Sequence, residues 1–185
     1  MKVTPLEIPE ILLVEPKVFG DARGYFVETF QAERYAEAGI SERFVQDNLS
    51  RSSRGTLRGL HLQHPRSQGK LVSVVEGEVF DVAVDVRVGS PSFGKWAGAR
   101  LSSRDHRQMY IPPGFAHGFC VTSEHALFTY KCTEIYQPQY EVGVVWNDPA
   151  LAIPWPVTQP TISEKDSRFL PLAEIDPARL PQWKA

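Results

Sequence analysis

The sequence predicts an all-β domain that folds as a jelly-roll barrel with a few short peripheral helices. Strand-like alternation is clearest in EVFDVAVDVRV, where the apolar residues at alternate positions from 80 to 86 share one face and Asp81 and Asp85 lie on the other. Turn clusters rich in glycine and proline, such as GSPSFG at 89–94, separate the short apolar runs. Many short strands between such turns favour a sandwich or barrel, and jelly-roll barrels enclose a ligand cavity.

The remaining elements follow from similar signals. FQAERYAEAGI has good helix formers and ends at Gly39, which suits a left-handed C-terminal cap. The turn PPG at 112–114 divides a long apolar stretch into two strands, and further short runs up to residue 148 continue the series. SEKDSRFLPL begins like a capped helix, with Ser163 as the N-cap and Asp166 at the third helical position.

Composition limits the class of protein. The 185 residues fit a single domain, 1–185, with a C-terminal helical tail at about 163–185. A formal net charge of -2 favours neither nucleic acid nor an anionic membrane as a partner. No run reaches the roughly 20 apolar residues of a spanning helix, and the N-terminus does not have the pattern of a signal peptide. Cys120 and Cys132 lie in apolar runs as expected of reduced, buried thiols, so we expect a cytoplasmic protein.

A metal site of the cupin type is one candidate function. Barrels of that type often bind a metal through two histidines spaced two apart on a strand, a glutamate and a later histidine. Here His61 is followed two residues later by Gln63, and His64 would point to the opposite face of the strand. His117 could supply the later ligand, but Glu76 borders a turn. A histidine without its partners binds a divalent metal poorly, so we expect no functional metal.

Proton transfer is the other candidate function. A histidine without a metal titrates near neutral pH and can act as a general base. His61 lies close in sequence to the cations Arg58 and Lys70, and a later strand pair supplies Tyr130 and Tyr136. A base, an acid of higher pKa and a cation that stabilises an enolate are what proton abstraction beside a carbonyl requires. Taken singly, each of these residues is more often an ordinary one, such as a hydrogen-bonded histidine, a solvated lysine or a packed tyrosine, and the pattern alone leaves both interpretations open.

Longer blocks of the sequence resemble one enzyme family. The blocks are DARGYFVETF, FVQDNLSRS, LRGLHLQ, QGKLVSVVEGEVFDVAVDVR, SPSFGKW, YIPPGFAHGF, YKCTEIY, WNDPALAIPWP and SEKD. In this order, from about residue 3 to about residue 172, they resemble the dTDP-4-dehydrorhamnose 3,5-epimerase family. The remaining tail, AEIDPARLPQWKA, matches less clearly.

The resemblance implies an isomerase that acts on a dTDP-linked 4-keto-6-deoxyhexose. The ketone acidifies the protons on carbons 3 and 5, and each centre is inverted by removal of a proton and its return to the opposite face. The expected conversion is dTDP-4-keto-6-deoxy-D-glucose to dTDP-4-keto-L-rhamnose in dTDP-L-rhamnose biosynthesis, with no metal or redox cofactor.

The resemblance also implies a role for each catalytic candidate. His61 is the expected base and Asp166 orients and charges its imidazole, as in other histidine–carboxylate pairs. Lys70 is expected to stabilise the enolate oxygen, and Tyr130 to act as the acid on the opposite face. Without the resemblance, Asp166 reads as a residue of a helix start and Tyr130 as core, since Phe128, Tyr130 and Cys132 share a strand face.

The same resemblance implies a set of substrate-binding residues. Two guanidinium groups would contact the diphosphate, four residues would lie at the thymidine and diphosphate end, a second histidine would play a supporting role, and a tyrosine would line the sugar pocket or only pack. The diphosphate contacts are Arg23 and Arg58, and the residues at the thymidine and diphosphate end are Phe26, Glu28, Gln46 and Asn48. The supporting histidine is His117, and the tyrosine is Tyr136. Strict alternation places Arg58 and His61 on opposite faces, so either Gly59 permits a bulge or Arg58 acts from a rim or a neighbouring subunit.

A homodimer is expected, because members of the family contribute segments of one subunit to the site of the other. The nearest alternative activity is a 3-mono-epimerase acting on a related dTDP-4-keto-6-deoxysugar, which could retain the same base and tyrosine. A non-catalytic sugar-nucleotide-binding barrel would be expected to lose His61, Lys70 or Tyr130, and all three are present. A metal-dependent dioxygenase or isomerase is disfavoured by Gln63.

Overall fold

The computed structural model describes residues 1–184, so residue 185 of the expected tail lies outside the described residues. Antiparallel strands are the main regular structure of the chain, and the predicted all-β, cupin-like jelly-roll fold is confirmed. The strands are β1 (Lys2–Pro5), β2 (Leu12–Glu15), β3 (Val18–Asp21), β4 (Gly24–Val27), β5 (Gln46–Ser53), β6 (Leu57–Gln63), β7 (Lys70–Glu76), β8 (Glu78–Asp85), β9 (Trp96–Ser102), β10 (Gln108–Ile111), β11 (Phe115–Val121), β12 (His125–Cys132) and β13 (Glu141–Gly143).

Two sheets form the walls of the barrel. The six-stranded sheet has the order β1-β2-β10-β7-β12-β5, and the five-stranded sheet has the order β13-β6-β11-β8-β9. Consecutive strands such as β7 and β8 fall in different sheets, so the chain passes repeatedly from one wall to the other, as in a jelly roll. β3 and β4 pair only with each other and form a separate hairpin.

The alternation predicted in β8 is present, but its two faces have roles that alternation alone does not reveal. Val79 and Ala83 point into the barrel and belong to the cluster of buried residues between the sheets. Asp81 lies on this inner face and is fully buried. Val82 and Val84 point outward, where they belong to a second apolar cluster. The polar face of this strand is therefore the interior face.

The C-terminal segment covers the outer face of the five-stranded sheet. Leu172, Ile175 and Leu180 pack into the outer cluster together with Val82 and Val84. In this segment the structure has three single turns of 3-10 helix, Asp166–Arg168, Leu172–Glu174 and Pro177–Arg179, where an α-helix was expected. The Asp166 N–H donates to Ser163 Oγ at 3.0 Å, so the predicted cap is present although the helix does not continue.

The predicted N-terminal helix is confirmed as α1 (Ala32–Glu37). The side chain of Gln31 caps its first turn, and Gly39 follows its last turn with φ of +94°, as expected for a left-handed cap. Tyr35 is the buried residue of the helix, and its hydroxyl donates to Gln108 Oε1 of β10 at 2.6 Å. Within residues 1–184, no helix is long and apolar enough to cross a membrane.

Candidate active site

A pocket of about 280 Å³ lies between the two sheets, at the end of the barrel where β6 and β12 end and β5 and β7 begin. It brings together six of the residues nominated from the sequence. The nominated residues that line it are His61, Lys70, Tyr130, Gln46, Asn48 and Tyr136, and the others are Leu62, Gln63, Gln68, Cys132, Glu141 and Lys165.

A bulge in β6 places Arg58 on the same face as His61. His61 pairs with His117 of β11, whereas Arg58 pairs with Phe119, so three residues of β6 span two residues of β11. Because directly paired residues share a face, and His117 and Phe119 are two apart, Arg58 and His61 both face the interior. The extra residue lies at Gly59, where φ is +109°. Of the two explanations left open by the sequence, the bulge is confirmed.

Gly59 is also required by a close approach between strands. A Cβ at this position would lie 2.5 Å from the carbonyl oxygen of His117 and 2.7 Å from Cα of Gly118. Neither backbone atom can move without breaking the pairing of β6 with β11. The bulge that positions Arg58 therefore depends on glycine for both its conformation and its space.

His61 and Asp166 form a hydrogen-bonded pair at the edge of the pocket. His61 Nε2 lies 2.9 Å from Asp166 Oδ1, and the Gly59 N–H donates to Asp166 Oδ2 at 3.2 Å. Burial acts to raise the pKa of Asp166, but the hydrogen bond and charge of His61 and the Gly59 N–H outweigh it and hold the pKa below its usual range. A carboxylate on Nε2 leaves His61 Nδ1, which has no hydrogen-bond partner within residues 1–184, as the nitrogen free to accept a proton.

Lys70 is a buried cation that no carboxylate neutralises directly. It begins β7, is 9% exposed, and makes no salt bridge or side-chain hydrogen bond within residues 1–184. Burial lowers the pKa of its ammonium, while Cys132, Asp81 and Glu141 act in the opposite direction at longer range. Its Nζ lies 6.0 Å from the ring centroid of Tyr130. An unpaired ammonium in a pocket of low dielectric is well suited to stabilise a developing oxyanion.

The two tyrosines of the pocket differ in what their hydroxyl groups contact. The Tyr130 hydroxyl has no protein partner in residues 1–184, and burial raises its pKa, so the phenol stays protonated. The Tyr136 hydroxyl donates to Glu141 Oε2 at 2.9 Å, and Lys165 Nζ lies 2.6 Å from the other oxygen of Glu141. Tyr130 is therefore free to donate a proton into the pocket, whereas Tyr136 is held at its rim.

Gln63 occupies the position where a cupin-type metal site would need a second histidine, and its amide has a structural task. Its Nε2 donates to the carbonyl oxygens of Arg66 at 2.7 Å and Ile135 at 3.2 Å. Its Oε1 accepts from the Gln137 N–H at 2.8 Å. These hydrogen bonds hold the loop that carries Tyr136 against the end of β6. Within residues 1–184, no group of three or more histidine, cysteine, aspartate or glutamate side chains is arranged to bind a metal ion.

His117 lies behind the pocket and pairs with a carboxylate that the sequence reading did not nominate. Its Nε2 is 3.0 Å from both carboxylate oxygens of Asp81, and both side chains are buried. Burial lowers the pKa of His117 and raises that of Asp81, and the contact between them opposes both shifts. His117 stacks on Phe128 at 6.2 Å between ring centroids. It does not line the pocket, in keeping with a supporting role.

Three nominated residues lie outside the pocket, on or beside the β3–β4 hairpin. Arg23 is in the hairpin turn, its side chain is 90% exposed, and it pairs with Asp21. Phe26 is 67% exposed, and Glu28 pairs with Arg34 of α1 at 2.6 Å. Within one chain, these residues are not brought together with His61.

Arg58 lines a second depression, of about 460 Å³, which also contains His61, Asp166 and Lys165. Its Nε donates to Ser52 Oγ at 3.1 Å. The sequence reading missed Lys165 and Glu141 as pocket residues, although Lys165 lies in the quoted SEKD block. Glu141 carried no signal, because a single glutamate in a short polar stretch resembles a surface residue.

The fold and site together define a class of protein. The chain is a β-barrel whose internal pocket holds a histidine–carboxylate pair, an unpaired ammonium and a free phenol, which is equipment for acid–base chemistry on a small anionic ligand. The sequence model of one family, dTDP-4-dehydrorhamnose 3,5-epimerase, matches residues 5–174. The chain belongs to this family.

Individual relatives agree with this assignment. The chain is 55% identical over 178 residues to the dTDP-4-dehydrorhamnose 3,5-epimerase of Pseudomonas aeruginosa. This alignment covers 95% of this chain and 98% of the relative. It is 43% identical over 182 residues to the dTDP-4-dehydrorhamnose 3-epimerase of Streptomyces niveus, covering 97% and 88%. The structure is also similar to the crystal structure of dTDP-6-deoxy-D-glucose-3,5-epimerase from Legionella pneumophila in complex with dTDP-4-keto-L-rhamnose, with a TM-score of 0.97 and 53% sequence identity. The superposition covers 100% of this chain and 99% of the Legionella pneumophila chain.

Proposed function

We propose that the protein is a dTDP-4-dehydrorhamnose 3,5-epimerase, an isomerase that converts dTDP-4-keto-6-deoxy-D-glucose to dTDP-4-keto-L-rhamnose in dTDP-L-rhamnose biosynthesis. The observation that carries the proposal is one pocket lined by His61, Lys70 and Tyr130, with Asp166 bonded to His61. High identity over nearly the full length of several epimerases with this name supports it.

The chemistry at each centre follows from these groups. His61 takes the proton from the carbon beside the ketone, and the electron pair of the broken C–H bond moves to the carbonyl oxygen, giving an enolate. The Lys70 ammonium stabilises the enolate oxygen. Tyr130 then donates its proton to the opposite face of the same carbon, and the carbonyl re-forms. The imidazolium and the phenolate return to their starting states by proton exchange, so one round inverts one centre.

The diphosphate is proposed to bind on the side of the site where Arg58 and Lys165 lie. Both cations border the depression beside His61, and Gln46 and Asn48 line the adjoining pocket. A guanidinium donates to phosphate oxygens in pairs, so Arg58 is suited to this contact. Lys165 is already paired with Glu141, which limits the charge it can offer.

A homodimer is proposed because two nominated residues, Arg23 and Phe26, are strongly exposed and lie outside the pocket of their own chain. Arg23 and Phe26 lie on a hairpin that projects from the barrel and also exposes Phe19 and Tyr25. A groove of about 340 Å³ runs between this hairpin and the outer face of the six-stranded sheet. Exposed apolar residues on one hairpin favour an interface with another chain. We propose that Arg23, Phe26 and Glu28 act in the site of the partner subunit.

The reaction as proposed uses no metal or redox cofactor, because deprotonation and reprotonation beside a ketone leave the oxidation state unchanged. Cytoplasmic location is proposed on the basis of Cys120 and Cys132, which are both free and buried, as is usual in a reducing compartment.

The alternative function is a 3-mono-epimerase. It is favoured by the 43% identity to the Streptomyces niveus enzyme, whose name specifies epimerisation at carbon 3 only. The same base, cation and phenol would serve one inversion as well as two. How the pocket seats the sugar ring decides between the two activities.

One experiment tests both functions. The protein, treated with chelator, is incubated with dTDP-4-keto-6-deoxyglucose in deuterated water, and the sugar protons are followed by NMR. Deuterium at carbons 3 and 5 is the expected result. Deuterium at carbon 3 alone would establish the mono-epimerase, and no exchange at either carbon would contradict both. Activity that a chelator abolishes and a metal restores would revive a metal-dependent reaction.

A further inference from the structure

The side chain of Phe169 packs against the imidazole ring of His61, the proposed base. Its ring meets the His61 ring edge-to-face, with 5.6 Å between centroids and 84° between planes. It follows Asp166, the carboxylate partner of His61, by one 3-10 turn. Phe169 was nominated neither by the sequence pattern nor by the resemblance, and it is half-buried although the adjacent Arg168 and Leu170 are exposed.

Gly143 provides the space for the Phe169 ring. Gly143 of β13 pairs directly with His61 of β6, so the side-chain positions of both residues lie on the same face of the sheet. A Cβ on Gly143 would overlap the ring atoms of Phe169. The phenyl ring therefore fills the volume that a side chain at position 143 would otherwise take, immediately next to the imidazole.

The backbone on both sides of Phe169 is anchored. The Asp166 carboxylate is fixed by the Gly59 N–H and by His61, and the Val145 N–H donates to the Leu170 carbonyl oxygen at 3.0 Å. With Asp166 and Leu170 held on either side of it, the backbone of Phe169 stays next to Gly143, where its ring packs. It acts as a fixed wall for the imidazole.

We propose that Phe169 is a positioning residue for the epimerisation. It restricts the rotation of the His61 ring, so that Nε2 stays on Asp166 and Nδ1 stays directed into the pocket. A hydrogen bond to Asp166 fixes only one atom of the ring, and a side chain with two rotatable bonds keeps other rotamers that satisfy it. An aromatic wall perpendicular to the imidazole removes them, which is the kind of support that holds a catalytic group within a fraction of an ångström.

Two variants test this inference by different routes. Phe169→Ala removes the wall, and Gly143→Ala displaces it while leaving Phe169 in the chain. Both are expected to lower kcat for exchange by about 10-fold or more, with KM changed by less than about 2-fold, because the defect lies in the base and not in binding. Phe169→Leu, which keeps most of the bulk, is expected to recover most of the rate. Leu170→Ala is the matched control, since its side chain is 49% exposed in the same segment.

The inference rests on the proposed function for its rate measurement, so a second readout is independent of turnover. In ¹⁵N-labelled protein, the ring nitrogens of His61, assigned by their absence in His61→Asn, are expected to show one tautomer in the native chain and averaged or doubled signals in Phe169→Ala. Folded Phe169→Ala with native kcat and native His61 signals would overturn the positioning role. If the native protein exchanged no deuterium, the proposed function would fail while the ¹⁵N comparison still decided the role of Phe169. Should Phe169→Ala not fold, Gly143→Ala provides the same comparison, with the native chain and Leu170→Ala as references.

Discussion

His61 and His117 are direct neighbours across the β6–β11 pair, and each is bonded to a carboxylate, yet only one is placed to react. The His61 side chain is 28% exposed and lines the pocket, whereas the His117 side chain is 7% exposed and lies behind it. A base must reach both its substrate and the proton pool that resets it. The difference in access is why we propose His61 for the proton transfer and a supporting role for His117.

Replacement of His61 by Asn should remove nearly all turnover, by about 10³-fold or more, because an amide cannot accept the proton. Binding of dTDP should remain largely intact, since the imidazole belongs to the sugar end of the site. Deuterium exchange followed by NMR measures the first effect, and calorimetric titration with dTDP measures the second. A His61→Asn protein that exchanged deuterium at a similar rate to the native protein would show that another group is the base.

The pKa of Lys70 should determine the pH at which activity is lost on the alkaline side. Its ammonium must be protonated to stabilise the enolate, and burial lowers its pKa below the usual lysine value of about 10.4. Activity is therefore present below that folded-state pKa and lost as the pH rises through it. Tyr130 does not account for this limb, because burial raises its pKa. In Lys70→Arg, whose guanidinium stays charged, the limb should move to higher pH. A profile of kcat against pH in which the limb stayed in place would assign it elsewhere.

At the residue scale, the sequence led to the catalytic candidates but not to their partners. The pattern suggested His61, Lys70 and Tyr130 as a base, a cation and an acid, and the family resemblance gave each of them its expected role. Asp81 could not be recognised in this way, because an aspartate at alternate positions of a strand normally marks the solvent side. In this barrel the pocket makes the interior face polar. Glu141 and Lys165 were missed because their pairing joins two segments remote in sequence.

At the scale of elements, Gln63 links β6 to the loop that carries Tyr136. Gln63→Leu should lower stability by about 1–3 kcal/mol, because it removes three partly buried hydrogen bonds, to the carbonyl oxygens of Arg66 and Ile135 and from the Gln137 N–H. Thermal denaturation measures the loss, and hydrogen exchange should locate it at residues 134–137. Gln139→Ala, in the same loop but exposed, is the control. Unchanged hydrogen exchange at residues 134–137 would show that the Gln63 amide does not stabilise this loop.

The C-terminal segment should be needed for stability even where it is far from the pocket. Leu180 is 2% exposed and packs on the outer face of the five-stranded sheet. Leu180→Ala should cost about 2–5 kcal/mol, whereas Arg179→Ala, on the exposed side of the same turn, should cost almost nothing. Denaturant unfolding of both variants measures the difference. Equal midpoints for the two would show that the outer cluster is not part of the cooperative core.

The strands of the barrel could be predicted from alternation and turn residues, but the edges of the fold could not. The helix at 32–37 is confirmed because its pattern and its glycine cap agree locally. The expected helix after Ser163 is replaced by separate turns, since Leu172, Ile175 and Leu180 must each reach the sheet surface. Sequence patterns describe a segment by itself, and here the sheet beneath it decides its conformation.

At the scale of the whole molecule, the proposed dimer makes a prediction that a single chain cannot fulfil. Arg23→Ala and His61→Asn should each be nearly inactive alone. If Arg23 serves the partner's site, a mixed dimer has one site with both an intact His61 and an intact Arg23. The isolated mixed dimer should then have about half of the native activity, and an equimolar co-refolded mixture about a quarter. Absence of any recovery in a mixed dimer isolated with two affinity tags would place Arg23 in the site of its own chain.

The position of Asp166 in the chain also has a consequence for the time at which the protein becomes active. The last strand of the barrel ends at Gly143, and the partner of the base, with the phenyl wall beside it, is contributed by a later segment. During synthesis on a ribosome, the walls of the barrel emerge before the residues that orient His61. A nascent chain, or one truncated at the C-terminus, would then contain the cavity but would lack the residues that hold the His61 ring in place. We therefore expect turnover to begin only after the walls of the barrel have formed.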